Sequence, residues 1–167
     1  MKKICMMVVA LFLAENAKAD FALICFDNAD KLSLDQKLKL CTGSVSDAPW
    51  RCFGYSAETG LSTEQRVDLC QGAISDAPVR CVASTGSRGL SASQKVKLCT
   101  SATTAAPNQC LDSSADLPLK MDHRVMLCAG AVSDRAIRCF VDSDGRGLSH
   151  EQRVKLCTAS GSNWGNK

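Results

Sequence analysis

Ten cysteines recur in two alternating sets along residues 25–157, and nothing else in the chain constrains its fold as tightly. One set closes segments such as "LSLDQKLKLC" and "LSTEQRVDLC". Its members Cys41, Cys70, Cys99, Cys128 and Cys157 lie 29 residues apart. The other set follows segments such as "SDAPWRC", and Cys52, Cys81, Cys110 and Cys139 keep the same interval of 29. Cys25, in "ICF", extends this second set with a connection two residues shorter. A fixed period of this length marks an array of repeats. An even number of regularly spaced cysteines points to a disulfide framework. Metal-thiolate sites are disfavoured, because the chain has no Cys-x-x-Cys pair and no Cys/His cluster at zinc spacing.

Parity bears on which cysteines pair. If each first-set cysteine joined the next second-set cysteine, Cys25 and Cys157 would be orphaned unless the array closed into a ring. If each second-set cysteine joins the next first-set one, all ten are used: Cys25–Cys41, Cys52–Cys70, Cys81–Cys99, Cys110–Cys128 and Cys139–Cys157. Parity favours the second scheme over the first.

The segments before the first-set cysteines read as short helices. Ser33, Ser62, Ser91 and Ser149 are each followed three residues later by Gln36, Gln65, Gln94 or Gln152, the spacing of a capping box. On a helical projection Val67, Leu69, Cys70, Ala73 and Ile74 share one half of the cylinder. A second helix is expected to start at Ser46, Ser75, Thr104 and Ser133, with Pro49, Pro78 and Pro107 in its first turn, where no internal donor is needed. Helices of about ten residues are marginal in water alone, so they need staples. With eight aromatic residues in the whole chain, one large conventional core is not expected.

The expected fold is therefore all-α: disulfide-stapled short helical hairpins of 29 residues, stacked as a small solenoid-like array. The units are read as residues 20–45, 46–74, 75–103, a divergent 104–132, and 133–167 with a C-terminal tail. In the fourth unit Lys120 replaces the capping serine, His123 the glutamine and Pro118 a glycine.

Residues 1–19 read as a secretory signal: Lys2 and Lys3, an apolar run from Ile4 to Ala14, then Ala17-Lys18-Ala19 before Asp20. A run of 11 residues is short for a span, which takes roughly 20. Cys5 departs with this segment. Cleavage would leave 17 basic and 16 acidic residues, so net charge names no partner and gives no support to nucleic-acid binding. The mature chain is expected to be periplasmic or extracellular, with no membrane span. By pattern alone, residues 25–157 resemble disulfide-stabilised α-hairpin repeat proteins of exported bacterial origin, a resemblance that implies no activity.

Four kinds of chemistry are open to these residues. Lys37, Arg66, Lys95, Arg124 and Arg153 recur at one repeat position and form a candidate binding stripe. Arg66 falls inside the apolar arc, so the structural reading has its stem packed between repeats and its head on a carboxylate such as Asp47, Asp76 or Asp134. Arg51, Arg80 and Arg138 form a second basic set, interrupted by Gln109. In "DSDGRGLSHE", Asp142, Asp144 and Glu151 occupy three calcium-loop positions, but Phe140 stands where the first carboxylate is required. His123 and His150 have no recognisable catalytic partners. Arg88-Gly89 and Arg146-Gly147 could present cleavage points of a protease inhibitor. The reading from sequence is a non-catalytic, exported, cysteine-rich binding or scaffold protein acting on an unknown protein or envelope component. It has no cofactor and no metal, and a stapled protease inhibitor is the alternative.

Overall fold

A computed structural model describes residues 20–160, and every regular element among them is helical. The signal segment read in residues 1–19 and the tail that carries Trp164 lie outside the described residues. Residues 20–28 are helical (α1). They are followed by α2 (Leu34–Cys41), α3 (Ala48–Tyr55), α4 (Thr63–Cys70), α5 (Ala77–Ala83), α6 (Ala92–Cys99), α7 (Ala106–Ser113), α8 (Met121–Cys128), α9 (Arg135–Asp142) and α10 (His150–Ser160). A short 3-10 turn, Ser56–Thr59, extends α3.

Five disulfides join successive helices in the pairing that uses all ten cysteines of residues 25–157: Cys25–Cys41, Cys52–Cys70, Cys81–Cys99, Cys110–Cys128 and Cys139–Cys157. Four of them span 18 residues and the first spans 16, which restates the shorter first connection. The cysteines, Cys139 excepted, are buried. They stand where a larger protein would place core aliphatics. Helices α2, α4, α6 and α8 each end on their cysteine, α10 runs three residues past Cys157, and the even helices stack in chain order: α2 on α4, α4 on α6, α6 on α8, α8 on α10. The odd helices flank this stack and touch the even helices on either side.

The even helices begin as their capping boxes dictate. Ser33, Ser62 and Ser91 each accept from the backbone N–H three residues on, while the glutamine there accepts from the serine N–H. Ser149 and Gln152 exchange the same two bonds. Only α8 lacks the device, because Lys120 has no side chain suited to it. The start of the odd helices departs from expectation. Ser46, Ser75, Thr104 and Ser133 do not cap them. Their hydroxyls accept from the N–H two residues on, closing a tight turn one residue ahead of the helix. The cap position falls to Asp47, Asp76, Ala105 or Asp134, none of which makes a side-chain capping bond. Pro49, Pro78 and Pro107 do sit in the first turn.

Ile74 is a second departure. Helix α4 stops at Cys70, and the chain turns through Gly72 at φ +67°. That turn points Ile74 outward, 65% exposed, away from the face it would share with Val67 on a continuous helix. The equivalent glycines Gly43 and Gly130 adopt the same left-handed conformation, and in the third repeat Ser101 does so at φ 63°.

Two buried side-chain polar atoms among the described residues have no hydrogen-bond partner, the Ser44 hydroxyl and the Asn108 Oδ1. Ser44 is buried and its hydroxyl has no hydrogen-bond partner, whereas the equivalent positions carry Ala73, Ala102 and Ala131. Ser44→Ala removes a desolvated, unpaired hydroxyl at no cost in volume and is expected to raise stability by about 1 kcal/mol. Chemical denaturation of the two proteins checks it. Replacing both Cys52 and Cys70 by serine should cost about 3 kcal/mol by the loop-closure estimate. The same denaturation series, read by circular dichroism, measures that loss.

Candidate functional site

Four of the five cations of the candidate stripe, Lys37, Arg66, Arg124 and Arg153, point into the angle between the two helices of their hairpins, where the odd-numbered helix ends, and the fifth, Lys95, is partly buried. The last carbonyls of a helix lack internal partners and carry its negative dipole end, so a cation and a donor are both favoured there.

In the second hairpin the Arg66 guanidinium lies flat over the Phe53 ring, 4.1 Å from its centroid. Its Nη2 donates to the Phe53 carbonyl at 2.7 Å, and its Nε donates to the Ser56 hydroxyl at 2.9 Å. Ser56 in turn donates to the same Phe53 carbonyl at 2.7 Å. The arrangement is a closed triangle of three hydrogen bonds beneath an aromatic face, and Arg supplies the planar fork it requires. Burial draws the Arg66 pKa down from its ordinary value.

The triangle recurs. Arg124 donates to Ser114 and to the Leu111 carbonyl at 3.0 and 2.8 Å. Arg153 donates to Ser143 and to the Phe140 carbonyl at 3.1 and 2.6 Å, and lies 4.1 Å over the Phe140 ring. The hydroxyl at this position is buried each time. Where the repeat has no serine there, the cation is lysine. Thr85 stands opposite Lys95, and buried Ala29 stands opposite Lys37. Lys37 lies 5.1 Å over the Phe26 ring and 3.7 Å from Asp30. The serine–arginine and non-serine–lysine matching is present in the sequence, but it links residues ten apart, or eight in the first unit, and only the hairpin gives it meaning.

Arg66 thus packs structurally, but its head does not meet a carboxylate. Asp47, Asp76 and Asp134 instead hold Arg51, Arg80 and Arg138, four residues on in the same helix, at 3.4, 3.1 and 2.9 Å. Arg153 alone of the stripe's arginines adds a carboxylate, Asp144, at 2.8 Å. Asp144 is therefore engaged with a cation, as Glu151 is with Lys155. Phe140, at the first position of the calcium-like stretch, is buried. Among the described residues no group of three or more acidic, histidine or cysteine side chains could hold a metal ion. His150 stacks obliquely, 6.0 Å from Phe140, and His123 lies on α8 near Glu151 of α10.

Arg88 is also committed. Its Nε and Nη2 each donate to one carboxylate oxygen of Asp112 on α7 at 2.7 Å, and a further nitrogen donates to the Ser84 carbonyl. This fork holds the Asp112 carboxyl below the usual carboxylate range. In the fourth unit, where Gln109 interrupts the second basic set, a buried amide stands where the other units carry Trp50, Val79 or Ile137: Asn108 donates to the Cys81 carbonyl and the Ser84 hydroxyl at 2.9 and 2.7 Å.

What remains outward is a different ladder, which the periodicity alone did not single out. Val45, Ile74 and Val132 occupy one repeat position and are 50, 65 and 61% exposed, with Thr103 completing the series. Beside three of these four positions stands an exposed Asp–Arg pair: Asp47–Arg51, Asp76–Arg80 and Asp134–Arg138. The edge of the array so formed alternates branched aliphatic side chains with ion pairs.

No protein-family model, characterised protein or solved structure matches the chain, so its surface chemistry is read from geometry. Among the described residues no helix is long and apolar enough to cross a membrane. The molecule is a small, disulfide-rich helical protein, and its five bridges suit an oxidising environment.

If the arginine triangle closes the hairpin, Arg66→Lys and Ser56→Ala should each cost about 1–2 kcal/mol. The double variant should fall short of their sum by at least about 0.5 kcal/mol. A double-mutant cycle by denaturation measures the coupling, and strict additivity would show the two residues act independently.

Proposed function

We propose that this is an exported, non-catalytic binding or scaffold protein that engages its partner along the edge bearing Val45, Ile74 and Val132. The exposed aliphatic ladder carries the reading. Branched apolar side chains that stand in water at the same position of successive repeats contribute nothing to their own fold, and rimmed apolar surface of this kind is what protein interfaces use. The ion pairs Asp47–Arg51, Asp76–Arg80 and Asp134–Arg138 supply a polar rim of both signs. Such a rim suits a protein partner better than a polyanion.

Export is supported by the signal-like N-terminus and by a framework of bridges that reducing compartments do not sustain. The non-catalytic reading is supported by the use of several candidate groups elsewhere: the cysteines in bridges, Asp144 on Arg153, His150 against Phe140. The protease-inhibitor alternative fits less well. Arg88 is clamped by Asp112 and does not project as a primary specificity side chain would.

Ile74→Asp should leave thermal stability within about 0.5 kcal/mol, as for an exposed position. It should reduce recovery of the partner in a cross-linking pull-down from the envelope or medium of the producing cell. Unchanged recovery with Ile74→Asp and Val132→Asp combined would remove this edge as the binding surface.

A further inference from the structure

The outer side of the odd-numbered helices repeats one order of residue types along the flank of the array. At α3 the order is Val45, Asp47, Arg51, Gly54, with exposed Tyr55 beside the last. At α5 it is Ile74, Asp76, Arg80, Ala83, and at α9 it is Val132, Asp134, Arg138, Val141. The acid, the base and the last residue stand at the zeroth, fourth and seventh positions of a helical stripe, so they share one face, and the aliphatic precedes them in the turn. Both members of each ion pair are exposed, as are Gly54, Ala83 and Val141. At α7 the order is Thr103, Ala105, Gln109, Asp112, with no ion pair and a polar residue at either end. The odd helices follow one another along the flank, α3 touching α5 and α7 touching α9, so the stripes join into one face.

That face is complementary to itself. Each charged stripe is apolar at both ends and carries opposite charges between them, so reversing the helix sets acid against base and apolar against apolar.

We infer, on the reading of the aliphatic edge as a binding surface, that its occupant is a second copy of the chain, the two copies related by a two-fold axis running along the array. Each odd helix then lies antiparallel to the same helix of the second copy. Asp47 meets Arg51 of the second copy and Arg51 meets its Asp47. Asp76 with Arg80 and Asp134 with Arg138 do likewise, and each ion pair becomes a ring of four charges alternating in sign. Ile74 meets Ala83, Val132 meets Val141, and Val45 meets the corner formed by Gly54 and Tyr55, so the aliphatics that one copy leaves in water are covered. The exception keeps register: Thr103 meets Asp112 and Ala105 meets Gln109, polar against polar in the one helix that lacks the charges. A two-fold axis set across the array would instead oppose Asp47 to Asp134 and Arg51 to Arg138, which repels. Helices of this length measure about 12 Å and stack about 9 Å apart, so four of them offer roughly 500 Å² per copy. A total of about 1,000 Å² is at the lower bound of a specific interface and fits a dimer that dissociates readily. The contact uses the same patch on both copies and therefore closes at two.

Sedimentation velocity of the oxidised protein across a concentration series should show a weight-average mass that rises from one chain toward two and no further, less steeply in high salt. Ile74→Asp, at an exposed position that leaves folding intact, should weaken the dimer at least about tenfold. Charge reversal tests the register. Asp76→Arg and Arg80→Asp should each dimerise more weakly than the parent, because each then opposes like charges across the axis. Their equimolar mixture should recover association, since opposite charges face each other only between the two variants. Where either variant loses its helical circular dichroism, Asp134→Arg with Arg138→Asp makes the same comparison. A parent protein monomeric at about 1 mM, weaker than a useful specific contact, would overturn the inference. So would growth past two copies, or a mixture of charge-reversed variants that associates no better than either alone. A monomeric parent that still captures a different protein through Ile74 would refute the second copy and leave the edge a binding surface. Neither dimer nor capture through Ile74 would refute both.

Discussion

Everything in this molecule rests on the covalent bond between the two short helices of each hairpin. Helices of eight residues do not pay their nucleation entropy in water. The side chains available to hold them are a few leucines, valines and single phenylalanines per repeat, too few for an independent core. A bridge of 18 residues removes much of the freedom of the unfolded hairpin before any packing is counted. It also places its sulfurs in the interior, where they act as apolar filler. The stacked even helices can then bury one leucine per junction and still cohere.

The arginine triangle addresses what the bridge leaves unsolved. A disulfide fixes two points but leaves the end of the odd-numbered helix with carbonyls facing the hairpin interior. Arg66, Arg124 and Arg153 answer with one side chain that neutralises the dipole and satisfies a carbonyl, while holding the serine that satisfies the same carbonyl again. A cation recurring at one repeat position therefore need not mean an outward-facing stripe. Its regularity comes from a local structural need that every hairpin shares.

Internal repetition gives the molecule its own control experiment. Equivalent positions should behave alike, so each exception has a location-specific cause. Ser44 is an unpaired hydroxyl where its sisters are alanine. Asn108 is a polar tie where its sisters are Trp50, Val79 and Ile137. The exposed Val45, Ile74 and Val132 are no exception at all. They recur at one exposed position, and the proposed binding edge rests on that recurrence.

The sequence by itself determined the helical class, the 29-residue unit, the capping boxes and, through parity, the cysteine pairing. Each of these depends on residues close in the chain or on a count. It misjudged where Ser46 and its equivalents act, because a hydroxyl can bond two residues on or three with nearly the same sequence spacing. It placed Ile74 on a buried face because periodicity does not register the turn at Gly72 that ends the helix. Only the tertiary structure decided which arginines point inward and which aliphatics stand in water. Those outcomes are set by where one hairpin lies against the next, and packing between repeats leaves no local mark in the chain.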